Sequence, residues 1–363
     1  MLAAAVYLAD QNPHRDRSLG ITRATLAIAD ALSGRVALRE VVSASSVTLP
    51  GGTAERTARL PFRTDHAAGR LLADAAHAAL ARVSADVWFY PKGYSASPLR
   101  PPAPSLALVH DTILDHYRQH YPEARSAAAY AYWTRQLRAT LRRVERVATI
   151  SQTSRAQILA YCEAERIEPP PIDVIYAATP FERVAPAVPA APFALHLASD
   201  APHKRTAWLL RTWADLRASG RDLLPLTLVG RLSDEGEEIA ASLPHVRRMG
   251  RVSDAELTAL FREAGVVIVP SEIEGFGLPV LEAYASGTPV AVTDDTSLAE
   301  VLRVGTERGR FRLDAPATLA DALDEVLAMD AREIASVQDA FAERFSTQAL
   351  GARVEAALRA TAS

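Results

Sequence analysis

Cysteine is almost missing: Cys162 stands alone among 363 residues, which excludes an internal disulfide framework and any zinc site built from several cysteines. No apolar run approaches the roughly 18 residues that span a bilayer. A strong charge of one sign is missing too, with 40 Lys+Arg against 43 Asp+Glu and a net charge of -3. A nucleic-acid partner held by a basic surface is therefore not expected. No Asp-x-Asp, His-Glu-x-x-His or clustered Cys/His spacing occurs, so no metal is expected either. The first ten residues, MLAAAVYLAD, carry no basic leader and reach Asp10 early. They read as a buried first strand and not as a secretory signal, which fits a cytoplasmic protein.

What is present points to a protein of two domains. A length of 363 residues suggests two domains at roughly 150 residues each, and 49% hydrophobic with 23% charged residues is ordinary for a globular chain. Residues 1–178 hold 21 Lys+Arg against 16 Asp+Glu, and the rest hold 19 against 27. A basic first half suits an anionic partner; chance unevenness and attraction between the halves explain it as well. Short apolar runs alternate with amphipathic ones, the pattern of βα units and a parallel sheet. Strands are expected at Leu2–Ala9, Val36–Val42, Val87–Tyr90, Leu106–His110, Val147–Ser151 and Val174–Tyr176, then at Phe193–Ala198, Leu224–Val229, Val246–Met249, Val266–Pro270 and Val290–Thr293. Helices are expected at Thr22–Leu32, Ala67–Val83, Arg125–Val144 and Thr153–Glu165, then at Thr206–Ala218, Glu235–Leu243, Asp254–Ala264, Pro279–Ser286 and Leu319–Ala328.

Proline marks the boundary. Pro180, Pro186, Pro189 and Pro192 fall in a stretch without periodicity, and proline neither continues a helix nor donates to a sheet. The expected plan is a first domain over 1–178, a linker over 179–192, a second domain over 193–345, and a last helix over 346–363 that packs back on the first. Two doubly wound domains of this kind leave a cleft at the carboxyl ends of their strands, where such sheets bind ligands.

The richest segment is Val266–Glu282, VVIVPSEIEGFGLPVLE. A buried strand leads into a loop with Glu274, Gly275 and Gly277 around Phe276, and Pro279 stands where a helix begins. Unpaired N–H groups at a helix start, here those of Gly277 and Leu278, make an anion site. Glu274 and Glu282 flank it, and carboxylates accept hydrogen bonds from paired hydroxyls. A diphosphate with hydroxyls on both sides, a nucleotide sugar, fits that spacing; solvated glutamates near a glycine turn fit it too.

The run Glu274–Glu282, EGFGLPVLE, with the SGTPV that follows, resembles the E-x7-E motif of the retaining glycosyltransferases of family 4. Thr296–Val301 (TSLAEV), Gly250–Leu260 (GRVSDAELTAL), Ile150–Ser154 (ISQTS) and Ser18–Ala24 (SLGITRA) resemble further segments of that family. The resemblance implies the GT-B fold, an α/β architecture of two Rossmann-like domains facing across a cleft. It implies transfer of a hexose-type sugar from a UDP-, GDP- or dTDP-linked donor to a hydroxyl acceptor, with retention and without a metal or other cofactor. Residue by residue, Glu282 would bind the ribose and Glu274 the transferred sugar, while backbone amides of Gly275, Phe276, Gly277 and Leu278 would meet sugar and phosphate. Lys204 would neutralise the departing diphosphate, Arg251 and Val252 would clasp the nucleobase, His110 would line the sugar pocket, and Gly20 would admit the diphosphate from the other side. Asp111 fits a helix cap as well as a ligand contact.

Two departures from the family pattern stand out. The stretch before Lys204 reads His196, Leu197, Ala198, Ser199, Asp200 where many relatives carry an arginine; Arg205 could substitute, although adjacent residues rarely face the same way, so the second diphosphate cation is unassigned. The first loop holds the single glycine Gly20. A non-catalytic nucleotide-sugar binder, or an epimerase of similar fold, therefore stays open beside the transferase. Arg135, Arg138, Arg142, Arg143 and Arg146 lie near Tyr130, Tyr132 and Trp133. This face is read as solvated with aromatics packed below; an anionic acceptor or an anionic membrane surface suits the same residues. The acceptor pocket is expected in first-domain loops such as Ser45–Thr64 and Tyr94–Pro104.

Overall fold

The computed structural model describes residues 1–12, 19–51, 53–94, 100–178 and 183–363. Ser18 of the SLGITRA segment, Pro180 of the linker and residues 95–99 of the second acceptor loop lie outside them. The chain divides into one unit of Met1–Ala178 with Phe345–Ser363, and another of Thr179–Arg344.

Among the described residues the first unit holds seven parallel strands: β1 (Ala3–Tyr7), β2 (Ala37–Val42), β3 (Ala54–Arg59), β4 (Val87–Tyr90), β5 (Ser105–Leu108), β6 (Arg146–Thr149) and β7 (Ile172–Val174). Their order is β3-β2-β1-β4-β5-β6-β7. Helices α1 (Leu19–Ala31), α2 (Ala67–Leu80), α3 (Ile113–His120), α4 (Ala127–Leu141) and α5 (Gln152–Ala164) connect them. Strand β1 is buried on both faces, as parallel strands are. Ala4, Val6 and Leu8 enter one core with Leu32, Leu38 and Phe89, while Ala5, Tyr7 and Ala9 enter the other with Trp88, Trp133 and Ile158. Serine starts the helices: Ser126 and Ser151 accept from the N–H three residues on, satisfying a donor the helix cannot.

The second unit holds six parallel strands among the described residues, β8 (Ala194–Ala198), β9 (Leu226–Gly230), β10 (Val246–Met249), β11 (Val266–Val269), β12 (Val290–Thr293) and β13 (Arg310–Phe311), in the order β10-β9-β8-β11-β12-β13. Its helices are α6 (Thr206–Ala218), α7 (Asp234–Ala241), α8 (Asp254–Glu263), α9 (Leu278–Ala285), α10 (Ser297–Leu302), α11 (Thr318–Leu327) and α12 (Ala331–Arg344). Residues 183–192 carry no helix or strand and lie against this unit: the Val184 N–H donates to the Ala285 carbonyl at 2.7 Å, and Gln338 Nε2 donates to the Val184 carbonyl at 2.7 Å. The last helix, α13 (Thr347–Ala362), buries Leu350, Val354, Ala357 and Leu358 in the first unit's core. Phe345 joins that unit through Tyr176, with ring centroids 5.7 Å apart.

Several expectations need correction. β3 occupies part of the Ser45–Thr64 segment read as a loop; its sequence AERTAR, at a sheet edge, has four exposed residues and none buried, and shows no apolar alternation. The two-residue β13 is too short to show a pattern. The helix expected at Arg125–Val144 begins at Ala127, because a separate 3-10 turn at Pro122–Ala124 and α3 precede it. Gly20 lies in the first turn of α1 and not in a loop. The strand read as Val174–Tyr176 is Ile172–Val174, since Tyr176 takes left-handed backbone at φ 53°.

Candidate active site

The second sheet reverses its strand order between β8 and β11. Loops leaving the carboxyl ends of strands at such a point diverge and open a recess for ligands. Both of the loops rich in chemistry emerge there. After β8 the chain forms a 3-10 turn over Pro202–Lys204, and Arg205 then takes left-handed backbone (φ 52°) to start α6. After β11 it runs through residues 271–277 into α9. The Glu272 N–H donates to the His203 carbonyl at 2.9 Å, which clamps one loop to the other.

Two ion pairs cross this clamp. Lys204 Nζ donates to Glu274 Oε1 at 2.5 Å, with side chains 26% and 13% exposed. Arg205 Nε donates to Glu272 Oε2 at 2.6 Å. Burial alone would push the Glu274 carboxyl up; the Lys204 ammonium, with His203 beside it, outweighs burial and holds the carboxyl below its usual range. Glu274 is therefore an anion at neutral pH. Ser297 Oγ at the start of α10 donates to the Glu274 carbonyl at 2.9 Å and fixes the loop from a third side.

The start of α9 has the geometry its sequence implies. Gly277 caps the helix at φ 133°, and an added Cβ would stand 3.2 Å from Leu298 Cδ2, so any other residue is both strained and crowded. The Phe276 side chain is buried. Gly275 is buried, and Leu278 opens α9. Glu282 is half-buried, one turn into α9. Arg251 and Val252 occupy the turn before α8, whose Ser253–Glu256 capping box fixes it. That turn follows β10, two strands from β8 in the sheet.

His196 fills the stretch where the resemblance leads one to look for an arginine, and its partners show why it stays neutral. Its Nδ1–H donates to the Ile268 carbonyl at 2.9 Å, and Nε2 lies 3.0 Å from Thr206 Oγ1. Burial pushes the imidazole down to about 4. It ties β8, β11 and α6 together and supplies no cation. Asp200 in the same stretch faces Arg231 Nε at 3.5 Å.

His110 and Gly20 belong to the first unit. His110 Nε2–H donates to the Pro91 carbonyl at 2.8 Å, and burial lowers its pKa, so this histidine is neutral and braces the loop after β4. Asp111 Oδ1 accepts from the Ile113 N–H at 3.0 Å, a cap for α3. Among the described residues, nothing stands within 4 Å of where a Cβ on Gly20 would point. On α4, Tyr130 and Trp133 are buried while Tyr132 is 42% exposed. Arg135, Arg138, Arg142 and Arg143 line a cavity of about 750 Å³ with Arg118 and Tyr130. Arg138 is committed to Glu165 and Arg146 to Asp173.

Sequence reading missed Glu272, His203 and Ser297. The alternation Glu272-x-Glu274 opposite the adjacent Lys204–Arg205 was the available signal, since alternate residues of an extended segment share a side. Among the described residues, no three His, Cys, Asp or Glu side chains group as metal ligands do, and no helix is long and apolar enough to cross a membrane.

Residues 192–329 match the family model for glycosyl transferases group 1. This segment is therefore similar to that family. Over 134 residues the chain is 40% identical to MMP alpha-(1->4)-mannosyltransferase of Mycolicibacterium hassiacum, covering 36% of this chain and 31% of the relative. Over 112 residues it is 36% identical to the phosphatidyl-myo-inositol mannosyltransferase of Mycobacterium leprae, covering 30% of each. The matched part thus spans under a third of these relatives. Likeness in structure is broader. Sucrose-phosphate synthase from Thermosynechococcus elongatus aligns over 99% of both chains at TM-score 0.71 and 18% identity. Anabaena HepE in complex with UDP and glucose aligns over 99% of this chain and 100% of its own at TM-score 0.70 and 16% identity. The architecture of both units is the GT-B fold. The matched residues 192–329 contain both ion pairs, the α9 start and Glu282.

Proposed function

We propose that the chain transfers a hexose-type sugar from a nucleoside-diphosphate donor to a hydroxyl acceptor, with retention of anomeric configuration. The observation that carries this reading is the Lys204–Glu274 pair at the second sheet's switch point, one short loop from the Gly277 cap of α9. Lys204 meets the diphosphate, whose charge grows as the glycosidic bond breaks. Glu274 then turns its freed oxygen to hydroxyls of the transferred sugar. Amides of Gly275, Phe276, Gly277 and Leu278 receive sugar and phosphate oxygens at the helix start. Glu282 takes the ribose hydroxyls, and the backbone of Arg251 and Val252 holds the base. Arg205 stays with Glu272 and acts on the diphosphate at longer range.

In the transfer step the anomeric C–O bond breaks and its electron pair leaves with the diphosphate. The acceptor oxygen forms its bond on the same face, and its proton passes to a departing phosphate oxygen. No cofactor or metal is needed, and excess chelator should leave turnover unchanged. The acceptor-side partner is a hydroxyl compound; a membrane surface is not part of this reading. One observation favours the non-catalytic alternative: the stretch His196–Asp200, where many relatives carry an arginine, holds no arginine or lysine, and its His196 is neutral. Thermal shift with UDP, GDP and dTDP sugars tests binding, and release of nucleotide in the presence of acceptors separates enzyme from binder. The Glu282→Ala variant should lose the nucleotide-induced shift; an unchanged shift overturns the ribose assignment.

A further inference from the structure

The first sheet reverses between β1 and β4, so its ligand end is the carboxyl end of those strands. The arginine cavity of about 750 Å³ lies elsewhere. It follows one face of α4 from Ala127 to Arg143, with Arg118 of α3 beside it. α4 ends at Leu141, and β6, parallel to β5, begins at Arg146. The arginine-rich half of α4 therefore approaches the amino ends of the strands. Among the described residues that line the cavity, five are arginines and none is acidic.

The neighbouring acids are already taken. Asp115 accepts from Arg118 at 2.7 Å, and Glu165 pairs with Arg138. Arg135 and Arg142 are exposed and make no ion pair among the described residues. Arg138 Nε keeps a buried N–H without an acceptor among those residues, and half-buried Thr134 adds a hydroxyl. A buried donor left unpaired is costly. The helix dipole favours cations at the carboxyl end of α4, where Arg142 and Arg143 stand. It does not account for Arg135 in mid-helix or for Arg118 on α3. Arg135, Arg138 and Arg142 follow one another at i, i+3 and i+7, a single stripe whose outer members are about 10 Å apart along the axis.

The lining decides which anion fits. A helix that lies in a membrane surface inserts large apolar side chains beside its cations. Here Tyr130 is buried, its hydroxyl donating to the Tyr121 carbonyl at 2.9 Å, and the other apolar lining is Ala127, Ala131 and Ala139. A membrane would meet charge and nothing to insert. Guanidinium forks match phosphate oxygens two at a time. One phosphate reaches one unpaired arginine, whereas a chain of phosphates reaches both. We propose that this face of α4 binds a small polyphosphorylated anion, held at its two ends by Arg135 and Arg142 and between them by Arg138 and Thr134. The site stands apart from the transferase reading and does not depend on it.

Inorganic tripolyphosphate is the probe, titrated calorimetrically at physiological salt into the full chain carrying Lys204→Ala, which removes the second unit's lysine from the measurement. Saturable binding is expected, at least tenfold tighter than that of orthophosphate and of citrate. Adding Arg135→Ala or Arg142→Ala should each weaken it tenfold or more. Both side chains are exposed, so melting temperatures should stay at the parent's value. Absence of binding, affinity no better than that of orthophosphate or citrate, or affinity unchanged in either variant overturns the inference. Vesicles of phosphatidylcholine and phosphatidylglycerol supply the other arm. If they pellet the parent chain in excess tripolyphosphate but not the Arg135→Ala/Arg142→Ala double variant, the face belongs to a lipid surface and the inference is overturned.

Discussion

Each unit places a lysine and an acid where its sheet reverses, yet the two pairs are built differently. In the second unit Lys204 donates directly to the Glu274 carboxylate, whose carboxyl is held below its usual range. In the first unit Lys92 donates to the backbone of Asp10, and burial outweighs it, so the Asp10 carboxyl is pushed up to about 6. The direction of displacement reports where the cation is committed. Glu274 is an ion stabilised in advance by its partner Lys204. Asp10 is an ion kept at a cost.

The sharpest way to break this comparison is to remove the cation of the second unit. Lys204→Ala should reduce turnover by roughly 10²- to 10³-fold, the usual loss when one preorganised charge on a developing anion is deleted. Steady-state rates checked against Lys204→Arg, which should recover part of the loss, test this; equal rates in wild type and Lys204→Ala would remove Lys204 from the site.

Opposite pH trends give the next contrast. Asp10 binds its proton more tightly folded than unfolded, so its burial costs nothing below the unfolded value of 3.8 and its full amount above about 6. At pH 8 Asp10→Asn should gain on the order of 1–3 kcal/mol by urea denaturation, and near pH 4 the gain should disappear. A loss of stability at pH 8 would mean the carboxylate is already satisfied. His196 behaves in the other sense. Its folded pKa of about 4 lies below 6.5, so its contribution is complete above pH 6.5 and is lost as pH falls toward 4. That loss is on the order of 3 kcal/mol, and a His196→Gln variant should show a flatter pH profile of stability between 6.5 and 4. Smallest is Gly277→Ala, which should destabilise the chain by about 1–2 kcal/mol through its φ of 133°. Denaturation at pH 7 reads it directly.

The contrast also explains what could be read from the sequence. The second unit's chemistry sits in two contiguous runs, SDAPHKR and EGFGLPVLE, so a linear reading finds Lys204, Glu274 and the cap of α9 together. Strands such as β10, β4 and β12 were legible to the residue because they are short apolar or bounded runs. The first unit's Asp10 and Lys92 are 82 residues apart and surrounded by no motif; only strand order brings them together. β3 was invisible because its partner β2 and not its own pattern makes it a strand. The α9 cap, by contrast, is written into Gly277 and Pro279.

The central claim is that the second unit's switch point binds a nucleoside diphosphate through Lys204 and the α9 start. Calorimetric titration of the full chain with UDP, GDP and dTDP, wild type beside Lys204→Ala, tests it most directly. Saturable one-to-one binding of at least one of them, weakened tenfold or more in the variant, is the expected result. Heat of binding that is absent from wild type, or identical in both proteins, would contradict it.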